Sequence, residues 1–228
     1  MPSPVITIDG PSGSGKGTIA RRLAAELGWA MLDSGALYRL LAVAADRAGL
    51  TPKTSESIER AAKLIPGMQI RFGLNDDGGE RIELDDEDVT QEVRQESTGN
   101  LASRYAANPL VRSGLLQLQR DFRRPPGLVA DGRDMGTVVF PDATLKFFLT
   151  ASVEERTRRR VSQLSEMGIT ANIDRIYSEI EARDARDQSR TESPLVPAED
   201  AIELDTSEIS ADQVLEKVLS ETKNRLDL

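Results

Sequence analysis

The sequence predicts an α/β fold, a parallel sheet flanked by helices, and three observations carry that expectation. Short apolar runs rich in β-branched residues alternate with stretches of helical periodicity. A glycine-rich loop stands directly between the first such run and the first helix. At 228 residues the chain is long enough for one α/β domain with sizeable insertions.

Taken in order, Val5-Ile6-Thr7-Ile8-Asp9 reads as a buried strand ended by Gly10. Thr18 to Leu27 carries Ile19, Leu23 and Leu27 at helical spacing and stops at Gly28. Trp29 to Leu32 is expected as a second strand and Ala36 to Arg47 as a helix ended by Gly49. Leu128 to Asp131 and Leu145 to Leu149 repeat the strand pattern. Ala201 to Leu204 is a weaker final strand, followed by a helix from about Ala211. Ligands on sheets of this kind bind at the carboxyl ends of the strands. Two stretches break the alternation and read as insertions. Met68 to Phe72 and Arg81 to Leu84, joined through Asn75-Asp76-Asp77-Gly78-Gly79, form a hairpin signal. Val153 to Gly168 is a helix dense in arginine.

Composition narrows the chemistry. A net charge of -9 argues against a nucleic-acid partner, which needs a basic surface, and the aromatic content of 4% offers no stacking platform. With no cysteine, disulfides and thiolate chemistry are excluded; with no histidine, any base or acid must be another residue type. Met1-Pro2-Ser3-Pro4 lacks the features of a secretory signal and no apolar run has the length of a membrane span. A cytoplasmic protein without membrane contact is the expectation. The run from Asp76 to Glu92 holds nine acidic residues against one arginine and reads as a solvated surface.

Gly10-Pro11-Ser12-Gly13-Ser14-Gly15-Lys16-Gly17-Thr18 is a phosphate-binding loop. Its glycines let the backbone wrap around phosphate with N–H groups inward, and the next helix presents its positive end. Lys16 reaches the β and γ oxygens. The usual pattern places Ser or Thr directly after the lysine, whereas here Gly17 stands there and Thr18 follows. Mg²⁺ bound with ATP is therefore expected to be held largely through water and phosphate. Asp131 ends an apolar strand, a place suited to the ion or its water shell, but Gly132-Arg133-Asp134 directly after it suits a second ligand better, and no residue is assigned as a metal ligand.

No Asn-Lys-x-Asp motif for reading guanine occurs, and the missing histidines favour a small-molecule kinase. A phosphate monoester acceptor, with a second pKa of about 6, is nucleophilic at neutral pH and needs positioning and positive charge rather than a base. Arginines supply that charge, since no lysine occurs between Phe147 and Glu216. Arg156, Arg159 and Arg160 share one helix face, with a solvated charged surface as the alternative reading. Ile173, Ile176, Tyr177 and Ile180 mark an inward stripe that continues onto Arg183 and Asp187, flanked by Arg186 and Arg190. That change from apolar to charged suggests the floor of a polar cleft, against the alternative of an internal ion-pair network.

These residues resemble the bacterial cytidylate kinases, within the nucleoside-monophosphate kinase family of P-loop kinases. The likeness runs through Ile8 to Thr18, Leu32-Asp33-Ser34-Gly35-Ala36-Leu37-Tyr38-Arg39, and the long segment Asp131 to Ala143. Arg183 to Arg190 and Pro194 to Ala198 extend it over essentially the whole chain, in order. The resemblance implies a P-loop nucleoside-monophosphate kinase fold with core 1–32, 105–151 and 173–228. It implies a monophosphate-binding region with the hairpin insertion at 33–104, a lid at 152–172, and a monomer. By resemblance, Lys16, Arg133, Arg156, Arg160 and Arg190 are catalytic, and the loop from Gly10 to Thr18 binds ATP. Arg39, Arg133 and Arg190 hold the acceptor phosphate, with Ser34 also in the acceptor site. Ser103, Arg112 and Asp134 read cytosine, while Arg183 and Asp187 contact the ribose. The implied reaction is phosphoryl transfer from ATP to CMP or dCMP.

Base chemistry agrees with that set. A carboxylate accepts from the exocyclic amino group of cytosine while an arginine donates to its ring nitrogen and carbonyl. Uracil reverses the first contact, at about 1–3 kcal/mol for each buried polar group left unpaired. A kinase for AMP, UMP or a metabolite on the same fold is the runner-up. A nucleotide-gated binding protein is the alternative from another class.

Overall fold

A computed structural model describes residues 2–74, 80–166, 168 and 170–226. Strand β1 (Val5–Asp9) leads into α1 (Lys16–Leu27), β2 (Ala30–Asp33) and α2 (Ser34–Arg47). Helix α3 (Ser55–Ala62) precedes three short strands, β3 (Ile70–Leu74), β4 (Glu80–Leu84) and β5 (Glu87–Asp88). Helices α4 (Thr90–Arg94), α5 (Glu96–Tyr105) and α6 (Pro109–Arg120) follow. The chain continues through β6 (Leu128–Gly132), β7 (Leu145–Thr150), α7 (Val153–Glu166) and α8 (Ile173–Gln188). It closes with β8 (Ile202–Asp205) and α9 (Ala211–Leu226). The chain divides into two compact units, one of Met1–Asp33 with Gln119–Leu228, the other Ser34–Leu118.

The first unit holds the expected parallel sheet, with strand order β2-β6-β1-β7-β8 and every pairing parallel. Strands β1 and β6 are buried along their whole length, which is why their sequences run apolar without strict alternation. One face packs Ile6, Ile8, Val129, Phe147 and Leu149 against Ile19 and Leu23 of α1 and Val214 and Val218 of α9. A π-type turn over Met135–Val139 packs against β1. Register places Asp9 opposite Gly132, and Asp33 opposite Asp131, so these strand ends stand level. Gly28 takes the left-handed conformation (φ 63°) that stops α1, as its position in the sequence suggests.

The second unit packs α2 against α5 and carries the antiparallel sheet β3-β4-β5. Leu37, Leu40, Leu41, Tyr105, Val111 and Leu115 are fully buried there, and the Tyr105 hydroxyl donates to the Leu50 carbonyl at 3.2 Å. The turn expected through Asn75 to Gly79 lies outside the described residues. Strand β5 was not expected. It forms because Asp85 and Asp86 both adopt positive φ (53° and 67°), giving a two-residue hairpin turn from residues that tolerate it.

Helices α1 and α2 each begin two residues earlier than periodicity suggests, at Lys16 and Ser34, since polar first turns carry no apolar signal. The stripe on α8 is only partly inward. Ile176 is buried, but Ile173, at the helix start, is 60% exposed. Among the described residues no helix is long and apolar enough to cross a membrane.

Phe147, at 0% exposure, fills the centre of the core shared by β7, α1 and α9. Phe147→Ala is expected to cost about 3–5 kcal/mol of folding stability. Urea denaturation of the purified variant reads this directly as a lowered midpoint.

Candidate active site

The loop from Gly10 to Thr18 leaves β1 at the carboxyl edge of the sheet. At Gly10 (φ 152°) an added Cβ falls 2.1 Å from the Leu149 carbonyl oxygen, so no side chain fits where the chain turns out of the strand. Helix α1 starts with no side chain capping its first N–H groups, which leaves those donors for an anion. Lys16 donates to the Pro11 carbonyl at 3.1 Å. Burial pushes its ammonium down to about 8, against the opposing pull of Asp131. Negative charge placed beside Lys16 favours its charged form.

Asp131 ends the apolar part of β6 and is pushed up to about 7, first by burial, with Lys16 working the other way. Its Oδ1 is buried with no hydrogen-bond partner. A Cβ added to Gly17 lies 2.9 Å from its Oδ2. This close approach fits the departure noted in the loop, because a side chain after Lys16 requires the carboxylate to shift.

Asp9 was not singled out from sequence, although its place just before Gly10 at a strand end was a usable signal. Both of its oxygens accept backbone N–H groups, from Met135 and Gly136, each at 2.8 Å. These bonds tie the segment after β6, which carries Arg133 and Asp134, to the strand that carries the loop. Burial raises Asp9 to about 7, and the two backbone donors hold it down.

Arg133, Arg183, Asp187 and Arg190 gather as the sequence suggests. The Asp187 carboxylate, 0% exposed, accepts from Arg133 through one oxygen and from Arg190 through the other. Burial pushes Asp187 up, but Arg133, Arg190 and Arg183 outweigh it and hold the group below its ordinary value. Burial also works against the Arg133 cation, and Asp187 more than compensates. The Arg133 Nη2 is buried without a hydrogen-bond partner. Arg183 reaches toward the loop, its Nη1 donating to Ser12 Oγ at 3.4 Å. Internal ion pairing and a cationic floor beside the phosphate loop therefore coexist in one cluster.

Arg156, 3% exposed at the start of α7, donates to the Ala151 carbonyl at 2.9 Å, the Ser12 carbonyl at 3.2 Å and Asp184 at 2.5 Å. Arg160 is half-buried on the same helix, with Gln163 within 3.5 Å. Asp134 is buried at the turn after β6.

The second unit holds Ser34, Arg39, Ser103 and Arg112. Ser34 is buried at the start of α2. Arg39 donates to the carbonyls of Val93 (3.0 Å) and Gln95 (3.2 Å) and lies on Gly99, where an added Cβ falls 2.8 Å from its guanidinium nitrogens. Arg112 donates to the Ala106 carbonyl at 3.1 Å and stacks 5.7 Å from the centre of the Tyr38 ring. Ser103 is buried on α5, its hydroxyl without a hydrogen-bond partner. Buried polar groups ordinarily pair, so this hydroxyl suits a ligand.

Comparison with known proteins follows the same lines. The family model described as Cytidylate kinase matches residues 6–224. A curated cytidylate kinase from Stutzerimonas stutzeri is 55% identical over 225 residues, covering 98% of this chain and 97% of its own. One from Pseudomonas fluorescens is 56% identical over 220 residues, covering 96% and 95%. Among solved structures, an uncharacterised protein from Eubacterium ventriosum shares the fold at 11% identity and a TM-score of 0.50, covering 98% of this chain and 99% of its own.

The buried carboxylates dictate a pH response. With Asp9 and Asp131 raised to about 7, the folded chain below that pH keeps protons that the unfolded chain releases until near 3.8. Both groups therefore add stability as pH falls through 7. Glu155, drawn down to about 2 mainly by Arg158, acts in the opposite sense, but only below its unfolded value near 4.5. Lys16, lowered to about 8, is mainly protonated across this window and opposes the trend only at its upper end. The ligand-free melting temperature is expected to rise from about pH 7.5 to about pH 5.5 and to fall below about pH 4.5. A steady fall over the upper window contradicts the burial of these two groups.

Proposed function

This chain belongs to the cytidylate kinase family, and on that premise we propose that it transfers the γ-phosphoryl group of ATP to CMP or dCMP, giving ADP and CDP or dCDP. The observation that carries the reading is the meeting of the phosphate loop with the Arg133, Arg183, Asp187 and Arg190 cluster within one unit. The loop's free N–H groups and Lys16 suit the β- and γ-phosphates of ATP.

The acceptor's own phosphate attacks, so no side chain has to remove a proton, which fits a chain without histidine. Arg39, Arg133 and Arg190 hold that phosphate, with Ser34 beside it. Arg133 and Arg190 are pre-set by Asp187, so the acceptor meets oriented guanidinium groups instead of flexible ones. Asp134 accepts from the cytosine amino group while Arg112 and Ser103 serve the ring's other polar atoms. Arg183 and Asp187 face the ribose. Arg156 and Arg160, on the helix of the proposed lid at 152–172, add positive charge around the transferred group as water is excluded.

Mg²⁺ bound with ATP fits the buried, unpartnered Oδ1 of Asp131 beside Lys16. Among the described residues no three His, Cys, Asp or Glu side chains gather into a metal cage. Asp131 would therefore hold the ion jointly with phosphate and water, and the ion neutralises charge on the phosphate oxygens when bound. We place the protein in the cytoplasm as a monomer, acting on nucleotides without a nucleic-acid partner, in keeping with its acidic composition.

The test is ADP release from Mg-ATP with CMP, dCMP, UMP, AMP and GMP offered separately. Strong turnover is expected with CMP and dCMP only, and preferred turnover with UMP or AMP contradicts the base-reading assignment. Asp134→Ala should erode the preference for CMP over UMP, and an unchanged ratio removes Asp134 from the base site. Arg133→Ala should lower kcat/KM about 10- to 100-fold with every acceptor, the loss typical of a charged hydrogen bond. A near-normal rate in that variant removes Arg133 from the acceptor site.

A further inference from the structure

Three successive carbonyls of the phosphate loop are each held by a side chain from a distant part of the same unit. The Ser12 oxygen accepts from Arg156 Nη1 at 3.2 Å. The Gly13 oxygen accepts a longer bond from Arg159 Nη1 at 3.4 Å. The Ser14 oxygen accepts from the Thr206 hydroxyl at 3.0 Å. In a planar trans peptide unit the C=O of one residue and the N–H of the next point in opposite directions. Holding these three oxygens therefore turns the N–H groups of Gly13, Ser14 and Gly15 the other way.

Two of the three anchors are themselves locked together. Thr206, 2% exposed just after β8, donates its own N–H to the Thr150 carbonyl at 2.8 Å, with its hydroxyl 2.9 Å from the same oxygen. Arg159 grips it through Nη1 to the hydroxyl at 3.1 Å and Nη2 to the carbonyl at 2.5 Å. Glu155, one helical turn back, receives Arg159 Nε at 2.8 Å and fixes the guanidinium plane. Helix α7 also lies close against the loop, since a Cβ on Gly13 (φ 82°) would come within 3.1 Å of Arg156 Cβ. The loop is thus braced from behind by the start of α7 and the end of β8.

We propose that Arg159 and Thr206 are positioning residues for the donor triphosphate, acting through the loop backbone and not by contact with phosphate. The proposal rests on the reading that this loop takes the phosphates of ATP, and it identifies what keeps the loop's donors aimed before the ligand arrives. Pre-set donors spare the ligand the cost of ordering them, so the brace acts on donor affinity and leaves acceptor affinity alone.

The experiment compares Thr206→Val, which keeps the shape and removes the hydroxyl, with Thr206→Ser, which restores it. Arg159→Gln, altering a side chain 23% exposed, serves as a second probe should the buried valine variant fail to fold. KM for ATP and for CMP, binding of inorganic tripolyphosphate by calorimetry, and melting temperature are read for each. In Thr206→Val and Arg159→Gln, KM for ATP and Kd for tripolyphosphate should rise together about three- to tenfold, with KM for CMP unchanged. Thr206→Ser should return both to the wild-type values. Unchanged ATP and tripolyphosphate affinity overturns the proposal, as does a lower kcat with both affinities intact. Weakened ATP with intact tripolyphosphate overturns it too, because the residues then act on the nucleoside. Absence of CMP-dependent ADP release in the wild type defeats the phosphoryl-transfer reading separately, while tripolyphosphate binding still decides the role of the brace.

Discussion

The parallel register of β1 with its neighbours is the constraint on which the site depends. Because Asp9 stands opposite Gly132 and Phe148, the phosphate loop and the Gly132 to Asp134 turn leave the sheet at one level, with the end of β7 alongside. A slip of one residue reverses the facing of every side chain on a strand, so the register of β1 with β6 and β7 also fixes which functional groups emerge at the edge. Asp9 adds a second lock, between segments distant in the chain. Its carboxylate caps the first two N–H groups of the π-type turn, which makes strand β1 the common support of the phosphate loop and the turn after β6.

Charge is distributed with the same economy. The chain is acidic overall, yet its buried edge concentrates Lys16, Arg133, Arg156 and Arg190 beside Asp131, Asp184 and Asp187. Unpaired arginines packed this closely would repel one another and resist burial. Asp187 relieves that for Arg133 and Arg190, and Asp184 for Arg156, leaving a cluster whose cations are paired within the protein. Acidic residues also stand on the exposed surface, as at Glu87 of β5, which meets Arg47 in a solvent-facing pair that contributes little.

Much of this was legible in the chain itself. Strands β1, β6 and β7 announce themselves by unbroken β-branched and apolar runs, and Gly28 marks the end of α1. Lys16 is readable because loop, strand and helix must be contiguous for the phosphate geometry to exist. Arg183 and Asp187 are readable from helical spacing, although Ile173 on the same stripe turns out to face solvent. Strand β5 escaped notice because two residues carry no periodicity and its turn is made by aspartates instead of glycine.

The sequence by itself determined the five strands of the parallel sheet in chain order, the phosphate loop and the stock of arginines, since each of these is encoded by neighbours along the chain. Tertiary structure decided which groups pair. Nothing local links Thr206 to the Ser14 carbonyl, Asp9 to Met135, or Gly17 to Asp131; those contacts exist only because parallel crossovers return distant strand ends to one edge. It also decided which carboxylates are driven up by burial, as with Asp9 and Asp131, and which are held down by arginine, as with Asp187. The physical reason is the same in each case: desolvation and pairing depend on neighbours in space, and a linear sequence specifies those only through the fold.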